Sequence, residues 1–382
     1  MSYYKSTIER RKTGLIYWDN DWSSGCYTLY APQTGNGLVK LIDITGETIH
    51  EWNMPVRPGR HAVLLPNGNL GYNGSHEKSV DLYPYWDLWH GGHFIEARPN
   101  GDIVWEHEDI YHHHDGQWLE NGNLLYTVAT PIPIRRGWPH LFNPEVPLEM
   151  QQRPISDTVR EVNREGEVVW EWNAWEHLSI KDYPIHECFN SDNAKERLHW
   201  PMINGVYQDG FLIYLSLRTT SGIIAVNKNT KEVIWELKYP LVAQQHDPSI
   251  TEDGNLLCFD NGNLRPNTST THSRIVEYDT RTKELVESYV DPNPATFFTP
   301  YMGSVQKLWN GSYSICESAF GRIFEVNPEG ELMWEYVIPE FGEYPEPLNE
   351  FITGEHNSCF KAHRYNMLPP ELNRFISFFD SE

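Results

Sequence analysis

The chain has 382 residues, with 53 acidic against 30 basic side chains and a formal charge of −23. Such an acidic chain argues against nucleic acid or an anionic membrane surface as a partner, because both need clustered Lys and Arg. A small anionic or phenolic substrate, held by a few cations in a recessed site, stays open. No apolar run nears the roughly 20 residues of a transmembrane helix, and Met1 to Lys12 lack the apolar core of a secretory signal. Cys26, Cys188, Cys258, Cys316 and Cys359 are scattered, with no Cys-x-x-Cys pair, so reduced thiols in a cytoplasmic protein are expected.

From the N-terminus, a segment at 13–31 precedes a phrase that the rest of the chain repeats. Its first copy is weak, Gly-Glu-Thr-Ile-His-Glu at 46–51, and is followed by a turn, Leu-Pro-Asn-Gly-Asn-Leu at 65–70. The full phrase stands at 101–106 as Gly-Asp-Ile-Val-Trp-Glu, with Leu-Glu-Asn-Gly-Asn-Leu-Leu after it at 119–125. A Pro- and Arg-rich stretch at 129–156 interrupts the rhythm before Gly-Glu-Val-Val-Trp-Glu at 166–171, and a second interruption follows at 176–199. Lys-Glu-Val-Ile-Trp-Glu at 231–236 leads to Thr-Glu-Asp-Gly-Asn-Leu-Leu at 251–257, and a weak copy, Lys-Glu-Leu-Val-Glu-Ser, to Leu-Trp-Asn-Gly-Ser at 308–312. The last copy, Gly-Glu-Leu-Met-Trp-Glu at 330–335, precedes a third interruption at 339–355.

Apolar strands alternating with Asn-Gly or Asp-Gly hairpin turns at a long fixed period predict a β-propeller. The expected fold is all-β, a single domain over 1–382 with six four-stranded blades around a central channel. The units fall near 36–75, 92–128, 157–217, 221–262, 273–318 and 321–365, with 13–31 completing the last blade to remove free edges. The recurrent Trp and aliphatic residues fill the blade interfaces. The interruptions at 129–156, 176–199 and 339–355 are expected on the rim of the binding face; Trp138, Phe142 and Phe189 argue against plain spacers.

Aligning the hairpin turns on their glycines produces one column, eight residues upstream: Arg60, His114, Met202, His246 and Gly303, with His356 near the same place in the last repeat. Equivalent positions on innermost strands face a propeller's channel, so these residues converge, together with neighbours His61 and Asn204. A lone histidine is more often a surface or hydrogen-bonded core residue; three in one column are harder to read that way. Asp115 and Asp247 follow two of them but point to the opposite strand face, which fits strand or turn polar groups better than a direct role. The run His112-His113-His114 cannot place three adjacent rings on one ion, and His114, His246 and His356 have no metal-ligand spacing, so no metal site is assigned. Arg218 ends an apolar strand in Tyr-Leu-Ser-Leu-Arg-Thr-Thr, where a guanidinium can grip a sulfate, phosphate or carboxylate; Arg364 is a second such candidate.

Three phrases, Gln-His-Asp-Pro-Ser-Ile-Thr-Glu-Asp-Gly-Asn-Leu-Leu-Cys-Phe-Asp-Asn-Gly (245–262), Ser-Arg-Ile-Val-Glu-Tyr-Asp (273–279) and Gly-Arg-Ile-Phe-Glu-Val-Asn-Pro-Glu-Gly-Glu-Leu-Met-Trp-Glu-Tyr (321–336), together with Cys-Phe-Lys-Ala-His-Arg-Tyr (359–365), resemble the arylsulfate sulfotransferases. These are six-bladed propellers that move a sulfuryl group between phenols without a nucleotide donor. The resemblance implies no cofactor, His246 as the transiently sulfated residue, His114 as a second channel histidine and Arg218 as the site arginine. It departs at His199-Trp200-Pro201-Met202-Ile203-Asn204, where Met202 replaces a third histidine and a thioether can neither donate a hydrogen bond nor carry charge. Two other classes fit the scaffold: a lyase or hydrolase, with or without a metal, acting on a carboxylated or phenolic substrate, and a non-catalytic ligand-binding propeller.

Overall fold

The computed structural model describes residues 10–19, 26–78, 80, 82, 86, 90–132, 155–186, 199–263, 265–346, 348–350, 352–366 and 369–380. Their strands form six antiparallel sheets arranged as a six-bladed β-propeller. From the channel outwards, the first blade runs β25 (Cys359–Tyr365), β2 (Tyr27–Pro32), β3 (Leu38–Ile42) and β4 (Thr48–Asn53), so the C-terminal strand is its innermost. The second is β5 (Pro58–Leu64), β6 (Leu70–Ser75), β7 (Gly92–Ala97) and β8 (Ile103–Glu108); the third is β9 (His112–Trp118), β10 (Leu124–Pro131), β11 (Ile155–Val162) and β12 (Val168–Asn173). The fourth contains β13 (Ile203–Asp209), β14 (Leu212–Leu217), β15 (Gly222–Asn227) and β16 (Val233–Lys238), and the fifth β17 (His246–Ile250), β18 (Asn255–Asp260), β19 (Arg274–Asp279) and β20 (Leu285–Tyr289). The sixth has β21 (Ser304–Lys307), β22 (Tyr313–Glu317), β23 (Arg322–Val326) and β24 (Leu332–Val337), plus β1 (Gly14–Trp18) paired on its outer edge.

This arrangement corrects the phase of the sequence units. Each of the first five expected units, 92–128 for example, contains the two outer strands of one blade and the two inner strands of the next, and 321–365 contains the two outer strands of the sixth blade and the innermost strand of the first. The 13–31 segment divides likewise: β1 extends the sixth blade, whereas β2 pairs with the C-terminal β25 in the first.

The Trp-Glu phrase lies on outermost strands, and its indole reaches the adjacent blade. Trp105, Trp170 and Trp334 of three full copies, and Trp52 just after the weak first copy, donate Nε1–H to the carbonyls of Arg164, Lys228, Ile44 and Arg98, each in the turn between the outer strands of the following blade. The indole thus supplies apolar area and a directional bond at the same seam. The Asn-Gly turns close the inner hairpins, with Gly68, Gly122 and Gly311 at φ of 87°, 84° and 84°, a left-handed conformation that glycine adopts without a Cβ clash. A buried glutamate on the third strand answers three of the inner hairpin turns: Asn67 and Asn69 donate to Glu96, Asn121 and Asn123 to Glu161, and Asn255, after the Asp-Gly turn, to Glu277. Arg164, Lys228 and Lys307 neutralise these three carboxylates from the adjoining blade. No described helix is long and apolar enough to cross a membrane.

Candidate functional site

The innermost strands all begin at one mouth of the channel, and four of them begin irregularly. Pairing slips between Pro58 and Ala62, between Tyr126 and Val128 opposite β9, between Ile203 and Gly205, and between His246 and Ser249. His114, Met202 and Asp247 accordingly take φ of 59°, 58° and 52°. An irregularity of this kind re-aims the side chains beside it, which is why bulges collect at barrel rims and functional sites. Left-handed backbone is costly for such residues and persists only where the surroundings fix it. In the sixth blade Gly303 has φ 115°, and a Cβ there would stand 2.6 Å from the Phe259 ring, so this column position carries no side chain.

His246 is 2% exposed and held at both ring nitrogens. Its Nδ1 lies 2.7 Å from Asn261 Oδ1, and Asn261 turns its Nδ2 to the carbonyls of Thr299 and Met302 at 2.9 and 2.7 Å. The amide orientation is therefore fixed, and its oxygen accepts the proton from Nδ1. That leaves the lone pair on Nε2, which accepts a long 3.2 Å bond from the Met302 amide. Burial, then the Arg218 guanidinium, push the His246 pKa down to about 3, so the ring is neutral at physiological pH.

Arg218 opens the β14–β15 turn, buried at 8% exposure. Its amide donates to Met202 O at 3.0 Å, and Thr219 donates to Pro201 O, so the residues before β13 brace this turn through their backbone. Met202 itself is buried. His114 is also fully buried, and burial, followed by the fields of His113, Arg60 and His246, keeps its pKa well below the ordinary value. Its Nδ1 sits 2.8 Å from His113 Nδ1. His113 Nε2 in turn stands 2.9 Å from Asp157 Oδ1, and His199 Nε2 approaches the same oxygen at 2.8 Å. The chain of groups Asp157–His113–His114 thus runs from the third blade to the channel mouth. Among the described residues, His113, Asp157 and His199 are the group whose ligand atoms lie close enough together to hold a metal ion.

The remaining sequence candidates fall elsewhere. Arg60 is 1% exposed and lies 5.3 Å above the Phe360 ring, close enough for its charge to act on His114. His61 faces the interior of the channel, 3.8 Å from Asp115. Asn204 donates to Gln245 O at 2.8 Å and so ties β13 to the start of the next inner strand. Arg364 lies in the interface of the first and sixth blades, on Glu325 at 3.0 Å and 4.1 Å from the Trp334 ring. His356 sits in the loop before β25, bridged to Gly342, with Nε2 on Thr353 O. The inner strand of that blade begins three residues later, and Lys361 and His363 stand along it instead. The stretches around Trp138, Phe142, Phe189 and Cys188 lie outside the described residues.

Lys361 belongs to a cross-channel tie that periodicity concealed. Its Nζ pairs with Asp115 Oδ2 at 2.9 Å and Asp247 Oδ1 at 2.7 Å. The same two carboxylates accept the amides of Val206 and Val305 on the intervening inner strands. Beyond this layer a cavity of about 580 Å³ opens towards the far mouth, with His61, Asp247, Lys361 and His363 at its inner end and Trp118 and Trp309 near its rim. His114, His246 and Arg218 do not line it.

The family model described as arylsulfotransferase (ASST) matches residues 96–338, more than half of the sequence. The chain belongs to the arylsulfotransferase (ASST) family. No curated protein matches it. Among solved structures, a protein of unknown function from Bacteroides caccae is 13% identical, covering 82% of this chain and 94% of its own with a TM-score of 0.52; at that identity the likeness concerns the fold alone. A streptogramin B lyase is 14% identical over 86% of each chain with a TM-score of 0.45. A virginiamycin B lyase from Staphylococcus aureus, solved with quinupristin, is 12% identical over 86% of each with 0.43. Within this arylsulfotransferase-family chain, sequence reasoning missed Asn261, Asp157, His199 and Lys361, and it set His113 aside with the run it belongs to. Asn261 had a signal, since it stands in the Phe-Asp-Asn-Gly phrase that follows His246. Asp157 and His199 lie in or beside the interruptions, where no repeat aligns them.

Proposed function

We propose that the protein transfers a sulfuryl group from an aryl sulfate to a phenolic acceptor through a transient sulfohistidine at His246. The observation that carries this reading is the state of His246: neutral, with Nδ1–H committed to Asn261 and its lone pair on Nε2, in the field of Arg218. Nε2 attacks sulfur, the S–O bond to the aryl group breaks, and the phenolate leaves as the anion, while His114, neutral, remains able to take a proton in the second step. Arg218 offsets the charge on the sulfuryl oxygens. The Met302 amide, which now contacts Nε2, is placed to donate to one of those oxygens once the N–S bond forms. A second phenol then gives its proton to His114 and takes the group from Nε2. The low basicity of His246 favours this second step, because it makes the imidazole a better leaving group.

The test is release of p-nitrophenol from p-nitrophenyl sulfate, with and without added phenol, for the wild type and His246→Ala. The expected result is release that accelerates with phenol, a sulfuryl adduct on His246 by mass spectrometry, and loss of at least about a thousandfold in the variant. Equal release by the variant, or none from the wild type with any aryl sulfate, overturns the reading.

A further inference from the structure

We propose that His113, Asp157 and His199 form a binding site for a first-row divalent transition-metal ion of the zinc or iron(II) type. The site is independent of the sulfuryl-transfer reading. Its three donors come from β9, from β11 and from the residue bridged to Ile155 ahead of β13, and their ligand atoms lie within 4.8 Å of one another with no solvent exposure. Both imidazole Nε2 atoms converge on one carboxylate oxygen, at 2.9 and 2.8 Å. Bonds of about 2.1 Å to a shared ion put neighbouring donors about 3 Å apart, so this is the spacing of a coordination edge. Two imidazoles and one carboxylate leave coordination positions open and suit zinc or iron(II) better than calcium or magnesium.

A carboxylate merely bridging two imidazole N–H groups accounts for the cluster less well. His199 Nε2 makes a regular hydrogen bond to Oδ1. His113 Nε2, at nearly the same distance, makes none of acceptable geometry, and Asp157 Oδ2 is buried with no donor. A buried carboxylate oxygen without a donor and a ring nitrogen aimed past its neighbour are costly; a cation between them satisfies both. The other side of His113 is built as metal sites usually are, with the second ring nitrogen held by a further group. If Nε2 binds metal, Nδ1 must carry the proton and donate to His114 Nδ1, 2.8 Å away, which places the proton of His114 on its Nε2. Occupancy of the site then sets the tautomer of a channel histidine.

The experiment is metal analysis of the untagged full-length protein, followed by chelation and titration with Co²⁺ under optical absorption, for the wild type, Asp157→Asn, His199→Gln and the distant control His76→Gln. The expected result is about one equivalent of bound ion and visible ligand-field bands in the wild type and control, with at least tenfold weaker binding in the other two. Because Asp157 and His199 are buried and a variant can fail to fold, Cu²⁺-loaded wild type is also examined by pulsed electron paramagnetic resonance, which must find coordinated imidazole nitrogen. Wild type that takes up no Co²⁺, a signal without imidazole coupling, or folded variants that retain the metal, each overturns the assignment.

Discussion

At the scale of single residues, the proposed sulfuryl transfer turns on how one imidazole is kept neutral and pointed. Asn261 does the pointing: its oxygen fixes the proton on His246 Nδ1. Asn261→Ala removes that acceptor, and kcat for aryl-sulfate turnover should fall about tenfold to a hundredfold with KM little changed. Asn261→Asp keeps an acceptor but adds a negative charge, which stabilises the imidazolium; the acid limb of the kcat/KM profile should move upward, away from the region set by a pKa of about 3. If Asn261 has only a packing role, the limb stays in place. Met202 offers a converse test. Histidine tolerates positive φ better than most side chains, so Met202→His should fold and restore the third histidine that the family resemblance implies, raising turnover about tenfold. His114 and His246 stood out because repeats aligned them, and Arg218 because it ends an apolar strand. Asn261 had only the phrase it stands in, and Asp157 had no signal, since its contacts to His113 and His199 cross dozens of residues and no period encodes that.

At the scale of elements, the inner strands are linked by charge. Asp115 on β9 and Asp247 on β17 share Lys361 on β25, so alternate blades are tied across the axis. Burial raises the Asp115 pKa while Lys361 opposes it, and for Lys361 the two carboxylates outweigh the cost of burial and raise its own value. Lys361→Met should destabilise the fold by about 3–5 kcal/mol, because it leaves two carboxylates without their cation. Urea unfolding measures this, and adding Asp115→Asn and Asp247→Asn to the same chain should recover part of the loss. A cost below about 1 kcal/mol would show that solvent already screens the pair. The same residues explain why the repeat count was readable and its phase was not. A Trp-Glu strand and the Asn-Gly hairpin after it are adjacent in sequence, and nothing local to either says that a blade ends between them. What marks the boundary is the indole of Trp105 or Trp170 reaching into the following sheet, a bond invisible until the sheets are side by side.

For the whole molecule, burial of so many neutral imidazoles makes stability pH-dependent. His61, His112 and His114 are held well below the ordinary value by burial, and His246 by burial and Arg218 to about 3. Unfolded, each titrates near 6.5, so the unfolded chain binds more protons than the fold as pH drops. Their contribution is fully present above about pH 6.5 and is lost progressively as pH falls below it; for His246 the loss continues towards about pH 3 and amounts to about 2 kcal/mol by about pH 5. Urea midpoints should therefore fall steeply from neutral to about pH 5, and a flat profile would mean that these rings already protonate in the fold. The ring itself closes through β25, which joins β2 from the opposite end of the chain. Lys361 rides on that strand, and this orders events during synthesis. While the ribosome still holds the C-terminal segment, the nascent chain has every other inner strand but no counter-ion between Asp115 and Asp247. Their mutual repulsion then opposes premature closure of the unfinished ring, and the last strand to emerge brings both the missing edge and the missing charge.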